Sequence, residues 1–181
     1  MAPKPPARRV VLGVTGSIAA YKSAEIVRGL VKAGAQVRCA LTESAAHFVT
    51  PLTLAVLSKN KVSTTLHDPE LWDMAHLSLA SWADLIVIAP ATADFIARLA
   101  VGRAEALLDG LVLSAKCPVA VCPAMDTEMW RHPATQANVK KIQTYGYKVW
   151  GPETGELASG RIGPGRLLEP AEIVKRALAR R

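Results

Sequence analysis

A chain of 181 residues, half of them hydrophobic, is long enough to bury one α/β core and too short for two ordinary domains. Its net charge of +7 sits mostly at the ends, in Lys4, Arg8 and Arg9 at the start and in Lys175, Arg176, Arg180 and Arg181 against Glu172 at the finish. The body therefore lacks the basic stripe with interleaved aromatics of a nucleic-acid groove, which excludes nucleic acid and favours small anions or an anionic chain end as partners.

Apolar runs such as Leu85–Ala89 fall far short of the roughly 20 residues a membrane helix requires, and no signal-type stretch follows the first charges. No membrane partner and a cytoplasmic location are expected. Cys39, Cys117 and Cys122 are odd in number and show no CxxC or Cys/His spacing, so they read as buried free thiols, with no metal site.

In chain order, residues 1–8 read as a disordered basic tail and residues 9–181 as one domain. Arg9 to Val14 is the first strand, and Ile18 to Ala33 a helix closed by Gly34. Gln36 to Leu41 is the second strand, Thr42 to Val49 opens a helix, and Pro51 to Leu57 is another short one. Asp84 to Ala89 has the unbroken apolar character of a strand buried on both faces; Ala93 to Val101 and Ala104 to Ala115 are helical. Val119 to Cys122 is the next strand, Pro133 to Tyr145 a helix, and Lys148 to Trp150 ends the sheet. This alternation predicts a single-domain α/β fold, a Rossmann-like or flavodoxin-like parallel sheet with helices on both faces.

The first strand leaves into Gly13-Val14-Thr15-Gly16-Ser17-Ile18-Ala19, a glycine-bearing turn that opens a helix. Backbone N–H groups there, with the helix dipole behind them and the Ser17 hydroxyl beside them, suit a phosphate. The pattern is not GxGxxG, and no acidic residue follows the second strand to hold an adenosine ribose. Thr42 and Ser44 stand there instead, so a mononucleotide such as FMN fits better than NAD. Ala89-Pro90-Ala91-Thr92-Ala93-Asp94 supplies small residues against which a planar ring can lie.

Four segments then occur in a telling order: VTGSIAAYK (14–22), MAHLSLASWADLIVIAPATAD (74–94), PAMDTEMW (123–130) and SGRIGPGRLLEP (159–170). In that order and spacing the chain resembles the homo-oligomeric flavin-containing cysteine decarboxylases, over roughly residues 9–170, and most closely their coenzyme A branch. The resemblance implies FMN, ahead of FAD, held by Gly16, Ser17, Ile18, Thr42, Ser44, Ala91, Thr92, Ala93, Asp94 and Ala124. It also implies a homotrimer, in some members assembled into a dodecamer, with the flavin near a subunit interface so that oligomerisation completes the site. His76 occupies the family's histidine position, suited by an ordinary pKa of about 6.5 to take or relay the substrate thiol proton. His47, His67 and His132 read as surface or packing residues. The substrate is expected to meet Met125, Asp126, Ala158, Ser159, Gly160, Arg161 and Arg166, with the glycines of 160–165 making a flexible flap.

Two of these positions depart from the family pattern. Asp126 stands where the family's PAMN motif has Asn, and an ionised Asp can accept but not donate. It is therefore read as a protonated donor, as a changed substrate contact, or as a cause of impaired catalysis; capping a helix ahead of Thr127-Glu128 is compatible with each. Ser159 replaces the cysteine of an ACG sequence, needed by the coenzyme A branch to convert the enethiol intermediate to the saturated thiol. Turnover is therefore expected to stop at the enethiol, as in the peptidyl-cysteine decarboxylases. The resemblance also implies a fused ligase in many members of the coenzyme A branch, and none is expected here, which with the two departures favours oxidative decarboxylation of the C-terminal Cys of a peptide. The alternatives are phosphopantothenoylcysteine decarboxylation and a non-catalytic flavin-binding regulator.

Overall fold

The computed structural model describes residues 7–66 and 74–179. Most of the expected basic tail and His67 lie outside those residues. Five strands, β1 (Arg9–Val14), β2 (Gln36–Leu41), β3 (Leu85–Ala91), β4 (Val119–Pro123) and β5 (Lys148–Val149), form one parallel sheet in the order β2-β1-β3-β4-β5. This is the flavodoxin-like order, and its connections reverse direction between β1 and β3, where a ligand crevice opens beyond the strands' carboxyl ends.

Strand alternation sorts the apolar residues into two cores. Val10, Leu12 and Val14 face the side covered by α1 (Ser23–Lys32), α2 (Pro51–Ser58) and α8 (Pro170–Leu178), while Val11 faces the other. That second core is covered by α3 (Ala75–Trp82), α4 (Ala93–Val101), α5 (Leu107–Leu113) and α7 (Pro133–Thr144). Each fully buried Leu, Ile or Phe among them contributes roughly 1.5–3 kcal/mol relative to exposure. At the strands' amino ends, a part-exposed bidentate contact of Arg9 with Asp84 ties β1 to the start of β3.

The departures from expectation have local causes. The helix from Ile18 divides into a 3-10 turn, Ile18–Lys22, and α1, with the Ser23 hydroxyl turned back onto Ala20 O at 2.6 Å. Thr42 caps another 3-10 turn, Glu43–His47, rather than an α-helix. Residues 104–106 stay outside α5, because Asp109 at the third helical position accepts from the Ala106 N–H at 3.0 Å and sets the start there. Two helices, α3 and α8, were not expected, while α6 (Thr127–Arg131) starts where Asp126 was read as a cap. α8 packs on α1 at Gly29, where an added Cβ would come 2.8 Å from Val174 Cγ2.

Cys39 and Cys122 are buried free thiols as expected, whereas Cys117 is free but only partly buried; burial pushes Cys39 up to about 12 and Cys122 further up. Among the described residues no cluster of His, Cys, Asp and Glu suits a metal, and no helix is long and apolar enough to cross a membrane.

Candidate functional site

The register places the exits of β1, β2, β3 and β4 side by side, with Val14 beside Leu41, Gly13 beside Ile88 and Ala91 beside Pro123. Buried Thr15 joins two of these exits. Its N–H and hydroxyl both donate to Pro90 O, at 3.2 and 2.8 Å, while its Oγ1 accepts from Thr92 N at 3.0 Å. Ala124 N donates to Ala91 O at 3.0 Å and joins the next pair. Sequence reasoning missed this role of Thr15, for which its position inside the glycine turn is the one available signal.

Glycine is required at position 16 because the β2 exit comes so close: an added Cβ would lie 2.5 Å from Ser44 Cβ. Among the described residues the N–H groups of Gly16 and Ile18 have no hydrogen-bond partner, so both remain available as donors. Ser17 Oγ accepts from Ala19 N, and Thr42 Oγ1, itself a cap, lies 3.4 Å from Ser44 Oγ. Unspent N–H donors, three hydroxyls and the small residues Ala91 and Ala124 fit a phosphate-bearing cofactor with a flat ring.

Two cavities flank this cradle. The first, of about 520 Å³, has Ser17, Ile18, Tyr21, Lys22, Ala124, Met125, Asp126, Ala158, Ser159 and Arg166 in its wall. The second, of about 480 Å³, takes in Thr42, Ser44, His47 and Arg98. His47, at the surface as expected, borders the second cavity, and His132 caps α7 through Nδ1. Ala91, Thr92, Ala93 and Asp94 lie outside both walls. Thr92 caps α4, and the largely exposed Asp94 carboxylate is 3.6 Å from Arg98 Nη1.

The segment expected to be a flexible flap is an antiparallel hairpin, β6 (Glu153–Glu156) and β7 (Ile162–Arg166), docked on the turn after β4. Met125 N donates to Gly165 O at 2.9 Å. Side chains are excluded at the contact: a Cβ on Gly163 would come 2.2 Å from Thr127 Oγ1, and one on Gly165, where φ is +135°, 2.2 Å from Met125 O. The glycines serve close approach here more than flexibility. At the tip Gly160 takes φ +76° and Arg161 is exposed.

The two departing residues meet each other. Ser159 Oγ donates to Asp126 Oδ2 at 2.9 Å, while Asp126 Oδ1 accepts from Glu128 N at 3.1 Å and caps α6. The Glu128 N–H, the Ser159 hydroxyl and the charge of Arg161 hold Asp126 below the usual carboxylate range. In this arrangement the Asp126 carboxylate accepts from both Ser159 and Glu128. Because its folded pKa is depressed, its hold on the tip is complete above the ordinary value of about 3.9 and fades as pH falls through the lowered one. Hydrogen exchange at Leu157 and Gly160, the tip amides, should be slower in the native chain than in Asp126→Ala near neutrality, with the gap closing in acid. Equal exchange at neutral pH would remove Asp126 as the tip's anchor.

His76 does not join the other catalytic candidates within one chain. It sits half-buried on α3, its ring packed near Gly110 of α5, where an added Cβ would lie 3.2 Å from His76 Cδ2. Its Nδ1 is buried without a partner, and it is in the wall of neither cavity.

Residues 3–181 match the Flavoprotein family. The chain belongs to that family. It is 49% identical over 168 residues to the coenzyme A biosynthesis bifunctional protein CoaBC of Vibrio cholerae, which covers 92% of this chain and 42% of the relative. The chain thus spans well under half the length of that curated relative. Among solved structures, a Cys-to-Ser mutant of PPC decarboxylase complexed with pantothenoylaminoethenethiol superposes with a TM-score of 0.85, at 31% identity and over 94% of this chain and 96% of that one. The FMN-dependent cysteine decarboxylase SpaF gives 0.80, also at 31% identity, over 95% and 98%.

Proposed function

We propose that this chain binds FMN and decarboxylates a cysteinyl carboxylate of the phosphopantothenoylcysteine type, releasing the enethiol. The observation that carries the proposal is the convergence, at one carboxyl edge of the sheet, of the Gly16 turn, the small-residue exits of β3 and β4, and the docked hairpin. Curated relatives on the coenzyme A side favour this substrate over the peptide expectation.

When bound, FMN supplies a two-electron acceptor for hydride from the cysteine Cβ. The free N–H groups of Gly16 and Ile18 bind its phosphate, and Thr42 and Ser44 its ribityl chain. Ala91 and Ala124 leave room for the ring. The hairpin covers the substrate against water. His76 takes the thiol proton, so the substrate loses a hydride, that proton and CO2, and an aminoethenethiol remains. Because His76 lies away from the cavity of its own chain, a neighbouring copy in a homotrimer provides it. Ser159 lacks thiol acidity, so turnover ends at the enethiol and dioxygen accepts the electrons. A biosynthetic enzyme of this kind works in the cytoplasm.

Incubation of the FMN-loaded protein with phosphopantothenoylcysteine, followed by mass spectrometry, is expected to show loss of CO2 together with two hydrogens. Loss of CO2 alone would overturn the stop at the enethiol. No mass loss would overturn decarboxylation and leave the non-catalytic flavin-binding role.

A further inference from the structure

His76 stands in the first turn of α3, whose start carries no side-chain cap. The place of that turn is therefore set by what it packs on. Ala75 and Leu79 of α3 share a core with Leu107, Leu108, Leu111 and Val112 of α5, and the half-buried His76 ring lies against Gly110, the one α5 residue without a side chain. A methyl group there would meet Cδ2, Cγ and Cβ of His76 at 3.2, 3.3 and 3.5 Å, so the ring would have to give by a few tenths of an ångström.

The start of α5 is fixed in turn by the residue before that glycine. Asp109 is fully buried, and its Oδ2 accepts both from Ala106 N, at 3.0 Å, and from Arg98 Nη2 of α4. Arg98 Nη1 also lies 3.6 Å from Asp94 Oδ2, one turn back on α4. Yet Asp109 Oδ1 and Arg98 Nε are buried with no hydrogen-bond partner among the described residues. Burying a charged pair is costly when its polar atoms are incompletely matched, and well-packed apolar side chains would hold two helices at least as firmly. What the pair offers instead is register, because it admits one rotation and one height of α5 against α4.

We propose that Asp109 is a positioning residue for His76: pinned to Arg98 and capping α5, it holds Gly110 where the imidazole is seated. This rests on the proton-accepting role proposed above for His76. A misplacement of about 1 Å at a reacting group can cost about 10²-fold in rate, so a seat displaced by a few tenths of an ångström reaches the chemistry without touching the binding of flavin or substrate.

NMR of the FMN-loaded, histidine-labelled protein reads the seat without turnover, the His76 imidazole signals being recognised by their loss in His76→Asn. In Asp109→Ala and Gly110→Ala those signals are expected to move, while those of His132, the cap of α7, stay. With phosphopantothenoylcysteine both variants should keep FMN content and KM and lose about 10-fold in kcat for CO2 release. Asp109→Asn, whose amide oxygen can still accept from Ala106 N, should keep the signals and kcat close to native. Asp109→Ser, which loses the reach to Arg98, should move the signals as Asp109→Ala does and takes its place if that variant fails to fold. Unmoved His76 signals in the Asp109→Ala or Asp109→Ser protein, or Asp109→Asn moving them as far, would overturn the assignment. Should the signals move while kcat stays native, the seat stands and the proton-accepting role of His76 falls.

Discussion

Replacing His76 with Asn is expected to lower CO2 release by about 10²- to 10⁴-fold, the usual worth of a positioned acid or base, while flavin binding and assembly persist. The ring rests near Gly110 with Nδ1 buried and unpartnered, so its orientation is set by packing, and Asn keeps a polar group in that place without the ability to take a thiol proton. The distance of His76 from its own cavity makes a sharper test possible. Asp126→Ala, which unseats the hairpin tip from the substrate, is expected to lower CO2 release as well, and the two variants produced together should restore part of the activity, because some mixed sites combine a native histidine from one copy with a native hairpin from another. Retention of most activity in His76→Asn would remove its role, and absence of recovery in the mixture would place both residues in one subunit.

What the sequence revealed and concealed follows from which interactions are local. β1 to β4 were legible because near-continuous apolar runs suit only strands buried on both faces, as the fully buried β3 shows. α3 was concealed because apolar residues lie all round it, with Leu79 buried and Leu77 exposed, so no helical period stands out. α8 does carry that period, in buried Ile173 and Ala177 between charged neighbours, but its counted charges drew attention to the termini rather than to a helix. The hairpin was misread because glycine signals freedom when viewed alone, whereas Gly163 and Gly165 are small in order to meet residues 125–127, a contact across more than 35 positions. For the same reason the site motifs were recognisable while their arrangement was not. Asp126 and Ser159 were each visible as departures, and only the fold shows that one departure hydrogen-bonds the other.

That contact also governs the second large effect. Ser159→Cys is expected to shift the product from the enethiol toward the saturated thiol, without an external reductant. A cysteine thiol has an ordinary pKa of about 8.5 and can donate a proton that a serine hydroxyl holds far more tightly. Beside Asp126, like-charge repulsion disfavours the thiolate and makes the introduced thiol a weaker acid than it would be alone. Reduction of the enethiol balances if the hydride removed from the cysteine Cβ returns to the product and the thiol supplies the accompanying proton. Sulfur donates only weakly, so the tip should be held less firmly than by the native 2.9 Å contact. Adding Asp126→Asn, whose amide can itself donate, should then raise the saturated fraction further. Product mass decides: gain of saturated thiol in Ser159→Cys supports the assignment, and a purely enethiol product in both variants would show that Ser159 does not determine where the reaction ends.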